Sequence, residues 1–80
     1  MRPVSEARSV TEVDEKIGAR VRARRIERDM SQEALADLLG ITFQQVQKYE
    51  RGINRVTASR LLDIAIALDL PIASFFEGLG

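Results

Sequence analysis

The stretch SQEALADLLGITFQQVQKYERG, residues 31–52, contains two short helical patterns joined by a very tight connection. Ser31 and Thr42 favour the N-cap of a helix, because their hydroxyl oxygens accept a hydrogen bond from an unpaired N–H of the first turn. Gly40 and Gly52 stand where the patterns end, and glycine readily adopts the left-handed conformation that stops a helix. The sequence therefore predicts two helices, at about 32–39 and 43–51.

The same start signal recurs at Thr57. Each of the three candidate N-caps lies between two apolar residues spaced as in a hydrophobic staple, which fixes how the chain enters a helix. These pairs are Met30 with Leu35, Ile41 with Val46, and Val56 with Leu61. Thr42 also has Gln45 three residues later, so it is predicted to form a capping box. Three matched starts at helix-length spacing favour a helical domain.

The rest of the chain also reads as helical, since β-branched residues never alternate over a useful length. Further helices are predicted at about 13–28, 58–68 and 72–77, the last one opened by Pro71. Residues 1–12 lack apolar periodicity and are expected to form a flexible N-terminal tail. The predicted fold class is all-α: a compact five-helix bundle with a helix-turn-helix, forming one domain over residues 13–80.

Composition excludes several classes of function. The 80 residues include no Cys and no His, so disulfides, thiolate or imidazole metal sites and histidine-dependent nucleophilic catalysis are excluded. Clustered carboxylates and glycine-rich phosphate loops are also missing, and we expect no enzyme, no cofactor and no metal. No apolar run approaches the roughly 20 residues of a membrane span, and no signal peptide is present. We therefore expect a cytoplasmic protein without a membrane partner.

The charge is balanced in sum but uneven along the chain. The formal net charge is zero and the sequence pI is about 6.2. Residues 20–28 carry five Arg against one Glu, whereas residues 29–43 and residues 63–80 each carry three acids and no base. Because the positive and negative charges cancel in sum but lie in different segments, the domain can have one basic face and one acidic face.

The predicted helix 43–51 divides into two faces at 100° per residue. Val46, Tyr49 and Glu50 fall on one side and are expected to face inward. The opposite side carries amides and cations: Gln44, Lys48 and Arg51, flanked by Gln45 and Gln47. Glutamine can pair bidentately with adenine in the major groove, and lysine can reach guanine or a phosphate. The alternative interpretation is an ordinary solvated polar face.

At this point the sequence resembles the phage-repressor and Cro-like helix-turn-helix family, also called the XRE family. The features that carry the resemblance are the Ser31-Gln32 opening, the spacing of Ala36 and Gly40, and the VQKYERG ending. The resemblance runs from about Val13 to Phe76. It implies a lambda-repressor-like DNA-binding domain, usually a homodimer, that acts as a transcriptional regulator. We expect this regulator to act at the nucleoid as a repressor that binds a palindromic operator.

The resemblance also implies roles for individual positions. The residues expected to face bases or the groove wall are Thr42, Phe43, Gln44, Gln47 and Lys48. Those expected to hold the DNA backbone are Ser31, Gln32, Gln45, Arg51, Asn54 and Arg55. Phe43 departs from the family pattern, in which a small or polar residue is frequent. Its role stays open between contact with a thymine methyl group and packing at the edge of the core.

One pair of charges is predicted to lie inside the domain. Ile17, Val21 and Arg25 fall on one stripe of the first helix, and Glu50 falls on the inward face of the third. Because an unpaired buried charge is very costly, Arg25 and Glu50 are expected to form a structural ion pair, as the resemblance also implies. The other arginines of the first helix are interpreted as a solvated face: Arg20, Arg22, Arg24 and Arg28.

The C-terminal third is rich in apolar residues for so small a domain. A homodimer interface is predicted there, formed by Leu70, Ile72, Phe75, Phe76 and Leu79. The alternative is that these side chains cover a single core. A different function also stays open, in which the fold serves as an antitoxin-like or partner-binding module whose working surface is the acidic segments 29–43 and 63–80.

Overall fold

A computed structural model of the chain describes residues 10–79. Within them, four α-helices are followed by one short 3₁₀ helix: α1 (Val10–Glu27), α2 (Gln32–Leu39), α3 (Phe43–Glu50), α4 (Ala58–Ala67) and the 3₁₀ helix (Ile72–Phe76). α3 packs against α1 and α2, while α4 packs against α2 and the 3₁₀ helix packs against α1 and α4. The all-α fold with a helix-turn-helix at α2–α3 matches the expectation.

Two boundaries differ from the prediction. The expected fifth α-helix is a single 3₁₀ segment of five residues, in which Ser74 N donates to Pro71 O at 2.9 Å. Glu77 has an extended backbone with ψ of 129°, and Gly78 follows with φ of 75°, so the helix ends at Phe76. α1 begins at Val10, so residues 10–12 are helical rather than part of the predicted tail. The remainder of that tail, residues 1–9, lies outside the described residues.

All three predicted N-caps are present. The side-chain oxygens of Ser31, Thr42 and Thr57 each accept a hydrogen bond from the backbone N–H three residues later, at 3.0, 3.2 and 3.2 Å. The capping residues themselves have extended backbones. A cap of this type stabilises a helix by about 1 kcal/mol, which explains why helices of only eight to ten residues are well defined.

The helices end by a common device, a residue in the left-handed region. Gly40 and Gly52 have φ of 70° and 73°, as predicted. Asp29 and Asp69 follow the ends of α1 and α4, and both have φ of 52°. Aspartate tolerates this conformation better than most residues because its short side chain bonds locally. The sequence signal at these two aspartates is weaker than at a glycine.

The hydrophobic core lies between all five elements. Its most buried side chains, each at most 1% exposed, are Val21, Leu35, Val46, Ile64, Leu68 and Phe75. Burial of a side chain of this size stabilises a fold by about 1.5–3 kcal/mol. The core therefore supplies the rigid support on which the short helices α2 and α3 are mounted.

Arginines close the ends of helices inside the domain. Arg24 donates from Nε to Leu68 O at 2.9 Å and from Nη2 to Asp69 O at 2.7 Å, just after α4 ends. Arg60 donates to Leu39 O at 3.1 Å, at the last residue of α2. Cations are favourable at helix C-termini because carbonyl groups are unpaired there. The interpretation of Arg24 as part of a solvated face is therefore wrong.

Arg20 has a similar role, because its Nη1 donates to Phe75 O at 2.9 Å and ties the 3₁₀ helix to α1. It too was wrongly assigned to a solvated face. Arg22 and Arg28 are exposed, as expected. The arginines of α1 therefore fall into two groups: Arg20 and Arg24 make contacts inside the domain, and Arg22 and Arg28 lie at the surface.

Candidate nucleic-acid interface

The helix α3 presents one buried face and one exposed face. Val46, Tyr49 and Glu50 are buried, at 1%, 7% and 7% exposure. The opposite face carries three exposed side chains: Gln44, Lys48 and Arg51. Gln45 and Gln47 are half-buried at its flanks. This division follows the angles predicted from the sequence, so α3 offers solvent a surface of amides and cations.

Close contact with α1 fixes the C-terminal end of α3. A Cβ atom at Gly18, in the middle of α1, would lie 2.2 Å from Tyr49 O and 2.8 Å from Glu50 O. No larger residue fits there unless α3 moves. A glycine inside a helical pattern is the sequence signal for such an approach, and Gly18 is not among the residues predicted to position α3.

The expected ion pair between α1 and α3 is present. Arg25 Nε donates to Glu50 Oε2 at 2.6 Å, and Arg25 Nη2 donates to Glu50 Oε1 at 3.1 Å. The two side chains are 10% and 2% exposed. Arg25 Nη1 also donates to Met30 O at 2.7 Å, just before α2. One guanidinium therefore holds α1, the connection to α2 and α3 in register.

Gln32 and Gln47 are joined to this pair, a contact that is absent from the predictions made from sequence. Gln32 Nε2 donates to Glu50 Oε1 at 3.1 Å, and Gln47 Nε2 donates to Gln32 Oε1 at 3.2 Å. Both glutamines are half-buried. The predicted phosphate-contacting residue of α2 and a predicted base-contacting residue of α3 thus touch each other at the seam of the two helices.

The predicted capping box at α3 is only half formed. Thr42 caps the helix by accepting from Gln45 N, but the Gln45 side chain does not return to Thr42. Gln45 Nε2 instead donates to Tyr49 OH at 3.0 Å, one turn further along α3. The amide satisfies the hydroxyl group of the buried tyrosine. This contact explains why Gln45 flanks the outer face rather than standing on it.

The first turn of α3 places Thr42 and Phe43 at the surface. Phe43 is 37% exposed, and its neighbours include Ala36 and Ile41 in a shallow pocket of about 280 Å³ between α2 and α3. Part of the ring is therefore covered and part faces solvent. Both interpretations of Phe43 retain a physical basis.

The remaining predicted phosphate contacts lie around α3. Ser31 and Arg51 are exposed, and Asn54 is half-buried. Arg55 is exposed as well, although its Nε lies 3.7 Å from Asp14 Oδ2. The Arg55 side chain is 72% exposed whereas that of Asp14 is 17% exposed, so the guanidinium also faces solvent, where another anion can reach it.

The C-terminal residues predicted to form a dimer interface occupy two different environments. Their exposed fractions differ. Phe75 is 0% exposed and Leu79 is 8% exposed, so both belong to the core. Phe75 has no exposed surface for a partner and Leu79 has little, so the fold does not favour either residue at an interface, and their assignment to one stays a prediction. Phe76 is 47% exposed, and Leu70 and Ile72 are half-buried.

Residues 10–79 contain no group of three or more Asp, Glu, His or Cys side chains arranged to hold a metal ion. None of their helices combines the length and the apolar character that crossing a membrane requires.

Comparison with known proteins gives relatives over most of the chain. A helix-turn-helix family profile matches residues 21–75. The chain is 53% identical over 77 residues to an uncharacterized transcriptional regulator in the ATPase CF(0) region of Rhodospirillum rubrum, covering 96% of this chain and 71% of that protein. It is 55% identical over 65 residues to an HTH-type transcriptional regulator of Sinorhizobium medicae, covering 81% of this chain but only 47% of the relative.

Solved structures of similar fold include two bacterial regulators. The restriction-modification controller protein C.AhdI from Aeromonas hydrophila matches with a TM-score of 0.74 and 37% identity, covering 78% of this chain and 94% of its own. The clp gene regulator ClgR from Corynebacterium glutamicum matches with a TM-score of 0.77 at 23% identity, covering 80% and 83%, which is a likeness of fold. The chain therefore belongs to the XRE-type helix-turn-helix family of transcriptional regulators.

Proposed function

We propose that the protein binds double-stranded DNA sequence-specifically as a homodimer and represses transcription by occupying a palindromic operator. The observation that carries this proposal is the outer face of α3, where Gln44 and Lys48 are exposed on a helix that a buried ion pair holds from behind. A backbone that is already fixed need not be ordered on binding, which favours specific contacts. Such a regulator acts in the cytoplasm, at the nucleoid.

In this proposal α3 enters the major groove. The base-contacting set consists of Thr42, Phe43, Gln44, Gln47 and Lys48. The set that contacts phosphates on either side consists of Ser31, Gln32, Gln45, Arg51, Asn54 and Arg55. Glutamine supplies a donor and an acceptor to adenine, and each good bidentate contact discriminates by about 1–3 kcal/mol. The exposed cations attract the DNA backbone without reading its sequence.

A second copy would read the other half-site, about one helical turn away. The interface we propose is the apolar surface formed by the outer side of α4 and the segment after it. Leu62 and Ile66 are 49% and 70% exposed, and they line one groove of about 460 Å³ with Leu70 and Ile72. Phe76 supplies further exposed apolar surface nearby in sequence. Covering this surface with a second copy would remove it from water.

A partner-binding module is the second candidate. Exposed Leu38 and Ile66 line a shallow pocket of about 390 Å³ together with the acidic residue Asp63. An apolar pocket edged by a carboxylate suits a basic and apolar protein segment. In that case DNA binding would be secondary or absent.

Selection of bound sequences from random double-stranded DNA tests the proposal. We expect a palindrome with half-sites about 10 bp apart. The logarithm of the binding constant should fall linearly with the logarithm of the salt concentration, because several phosphates are neutralised. Failure to retain DNA even at low salt would contradict the proposal and favour the partner-binding module.

Analytical ultracentrifugation of Ile66→Glu tests the proposed dimer surface. The variant places a charge on that apolar surface and should convert a dimer into a monomer. Ile53→Glu is the matched control, since Ile53 is 64% exposed but lies outside the α4 surface. Equal sedimentation of the two variants would contradict the assignment of the interface.

A further inference from the structure

Two arginines of α1, one helical turn apart, hold the chain that follows α4 near both of its ends. Arg24 donates from Nε to Leu68 O at 2.9 Å and from Nη2 to Asp69 O at 2.7 Å, where α4 passes into the segment after it. Arg20 donates from Nη1 to Phe75 O at 2.9 Å, near the end of the 3₁₀ helix. All three acceptors are backbone carbonyl groups, so these contacts fix the course of the chain itself.

These hydrogen bonds add a direction to a segment whose position depends on apolar packing. Phe75 and Leu79 are buried in the core and fix where the segment lies. Burial of apolar surface is favourable without any requirement on direction. A hydrogen bond, by contrast, weakens steeply when donor and acceptor are out of line. Without the bonds from Arg20 and Arg24, the segment could therefore pivot about its buried side chains.

The same helix also supports α3. Arg25 follows Arg24 in the chain but reaches α3, where Glu50 accepts from its Nε at 2.6 Å. The close approach at Gly18 brings the backbones of α1 and α3 together two turns earlier. α1 is therefore the common support of the proposed reading helix and of the segment that carries part of the proposed dimer surface.

The relative placement of these two parts determines where a homodimer can put its two copies of α3. In a two-fold dimer, the distance and angle between the copies follow from the position of α3 relative to the interface. The distance and angle in turn decide which separation of half-sites both copies can reach. One base pair moves a half-site by about 3.4 Å and rotates it by roughly 35°. A small pivot of the interface therefore changes the separation that fits.

We propose that Arg20 and Arg24 are positioning residues for half-site spacing: by holding the segment after α4 against α1, they set the separation of operator half-sites that the homodimer accepts. Neither side chain needs to touch DNA or the second copy. This inference rests on the proposed function, in which the segment contributes Leu70, Ile72 and Phe76 to the dimer surface.

Arg22 provides a matched comparison on the same helix. It lies between Arg20 and Arg24 in sequence, but it is exposed, and within residues 10–79 no hydrogen bond or ion pair holds its side chain. Replacing Arg22 removes the same charge and a side chain of the same length without releasing the segment after α4.

The test measures the affinity of the wild-type chain and of Arg20→Met, Arg22→Met and Arg24→Met for operators made from the selected half-site at several spacings. Methionine keeps an unbranched apolar stem but donates no hydrogen bond. An operator with the wrong spacing requires the segment to move and to break its bonds to α1, and this cost is absent where the bonds are already missing. We expect Arg20→Met and Arg24→Met to lower the preference for the best spacing by about two- to twelvefold for each hydrogen bond removed. Arg22→Met should keep the wild-type ratio.

The ratio of affinities between spacings distinguishes this role from a purely structural one. Lower stability or weaker dimerisation reduces the affinity for every spacing by a common factor and leaves the ratio unchanged. The base preference within a half-site should also stay unchanged, because Arg25 and Glu50 still hold α3. Thermal unfolding checks that each variant is folded. If Arg24→Met is unfolded, Arg24→Lys replaces it, since lysine keeps the charge but lacks the planar fork that reaches two carbonyl groups.

Wild-type spacing ratios in Arg20→Met and Arg24→Met, or an equal change of the ratio in Arg22→Met, overturn the inference while leaving the proposed function standing. A wild-type chain that binds a single half-site as tightly as a palindrome overturns the proposed homodimeric binding and the inference with it. The two failures are therefore distinguishable in one data set.

Discussion

The helix α3 and the C-terminal segment 70–79 are both short, and both are predicted to present a functional surface, yet they are attached to the core in different ways. α3 packs through Val46 and Tyr49 and is held in addition by polar and backbone devices: a cap at Thr42, a left-handed stop at Gly52 and the buried carboxylate of Glu50. The C-terminal segment is held mainly by the buried side chains of Phe75 and Leu79. Hydrogen bonds and the ion pair fix the orientation of α3, whereas apolar packing mainly fixes where the C-terminal segment lies.

The difference determines which surfaces the two regions leave free. α3 turns its apolar side inward and shows solvent amides and cations, which suit a hydrogen-bonding partner such as DNA. The C-terminal segment buries one aromatic ring and exposes the next, at Phe76. It suits contact with another apolar surface. Mutations in each region should therefore have effects of different kinds.

The largest expected effect is at Phe75. Phe75→Ala should lower the free energy of unfolding by about 3–5 kcal/mol, because it leaves a cavity in the core. Phe76→Ala is the matched control and should change the free energy of unfolding of the monomer by about 0.5 kcal/mol or less. Urea unfolding measures both. Similar losses of unfolding free energy for the two variants would contradict the placement of Phe75 in the core and of Phe76 at the surface.

A comparable loss is expected at the polar attachment of α3. Glu50→Ala should cost about 3–5 kcal/mol, since it leaves the Arg25 guanidinium buried without its partner. Glu27→Ala is the control, because the Glu27 carboxylate is 65% exposed and lies 4.0 Å from Arg24. It should have almost no effect. An unchanged melting temperature for Glu50→Ala would reject the structural role of the pair.

A smaller loss is expected where α1 meets α3. Gly18→Ala should cost about 1–3 kcal/mol and weaken DNA binding, because its methyl group forces α3 away from its support. Gly40→Ala meets no atom within 4 Å, so its cost of about 1–2 kcal/mol comes from the left-handed backbone alone. Unfolding and DNA titrations compare them. Tighter or equal DNA binding by Gly18→Ala would contradict this account of how α3 is positioned.

The sequence was most informative where structure depends on near neighbours. The start of α2 at Gln32, the caps at Ser31 and Thr42, and the left-handed turn at Gly40 all follow from residues within one helical turn. The inward side of α3 follows from its periodicity. The Arg25–Glu50 contact could be predicted although it is distant in sequence, because two opposite charges on buried faces have few other ways to be satisfied.

Contacts that depend on the packed arrangement were not predictable in the same way. The 3₁₀ conformation after Pro71 and the burial of Phe75 depend on α1, whose Arg20 bonds the carbonyl of Phe75. The link between Gln32 and Gln47 depends on the relative placement of α2 and α3. No local pattern distinguishes a glutamine that bonds a neighbour from one that faces water.

The most direct test of the central claim is the DNA binding of Gln44→Ala, measured by titration against selected and scrambled sites. We expect an unchanged melting temperature and a loss of about 1–3 kcal/mol in discrimination at the base pair that Gln44 reads. Gln45→Ala, by contrast, should weaken binding to all sequences about equally. If Gln44→Ala retains both the affinity and the sequence preference of the wild-type chain, the assignment of α3 as the reading helix is wrong.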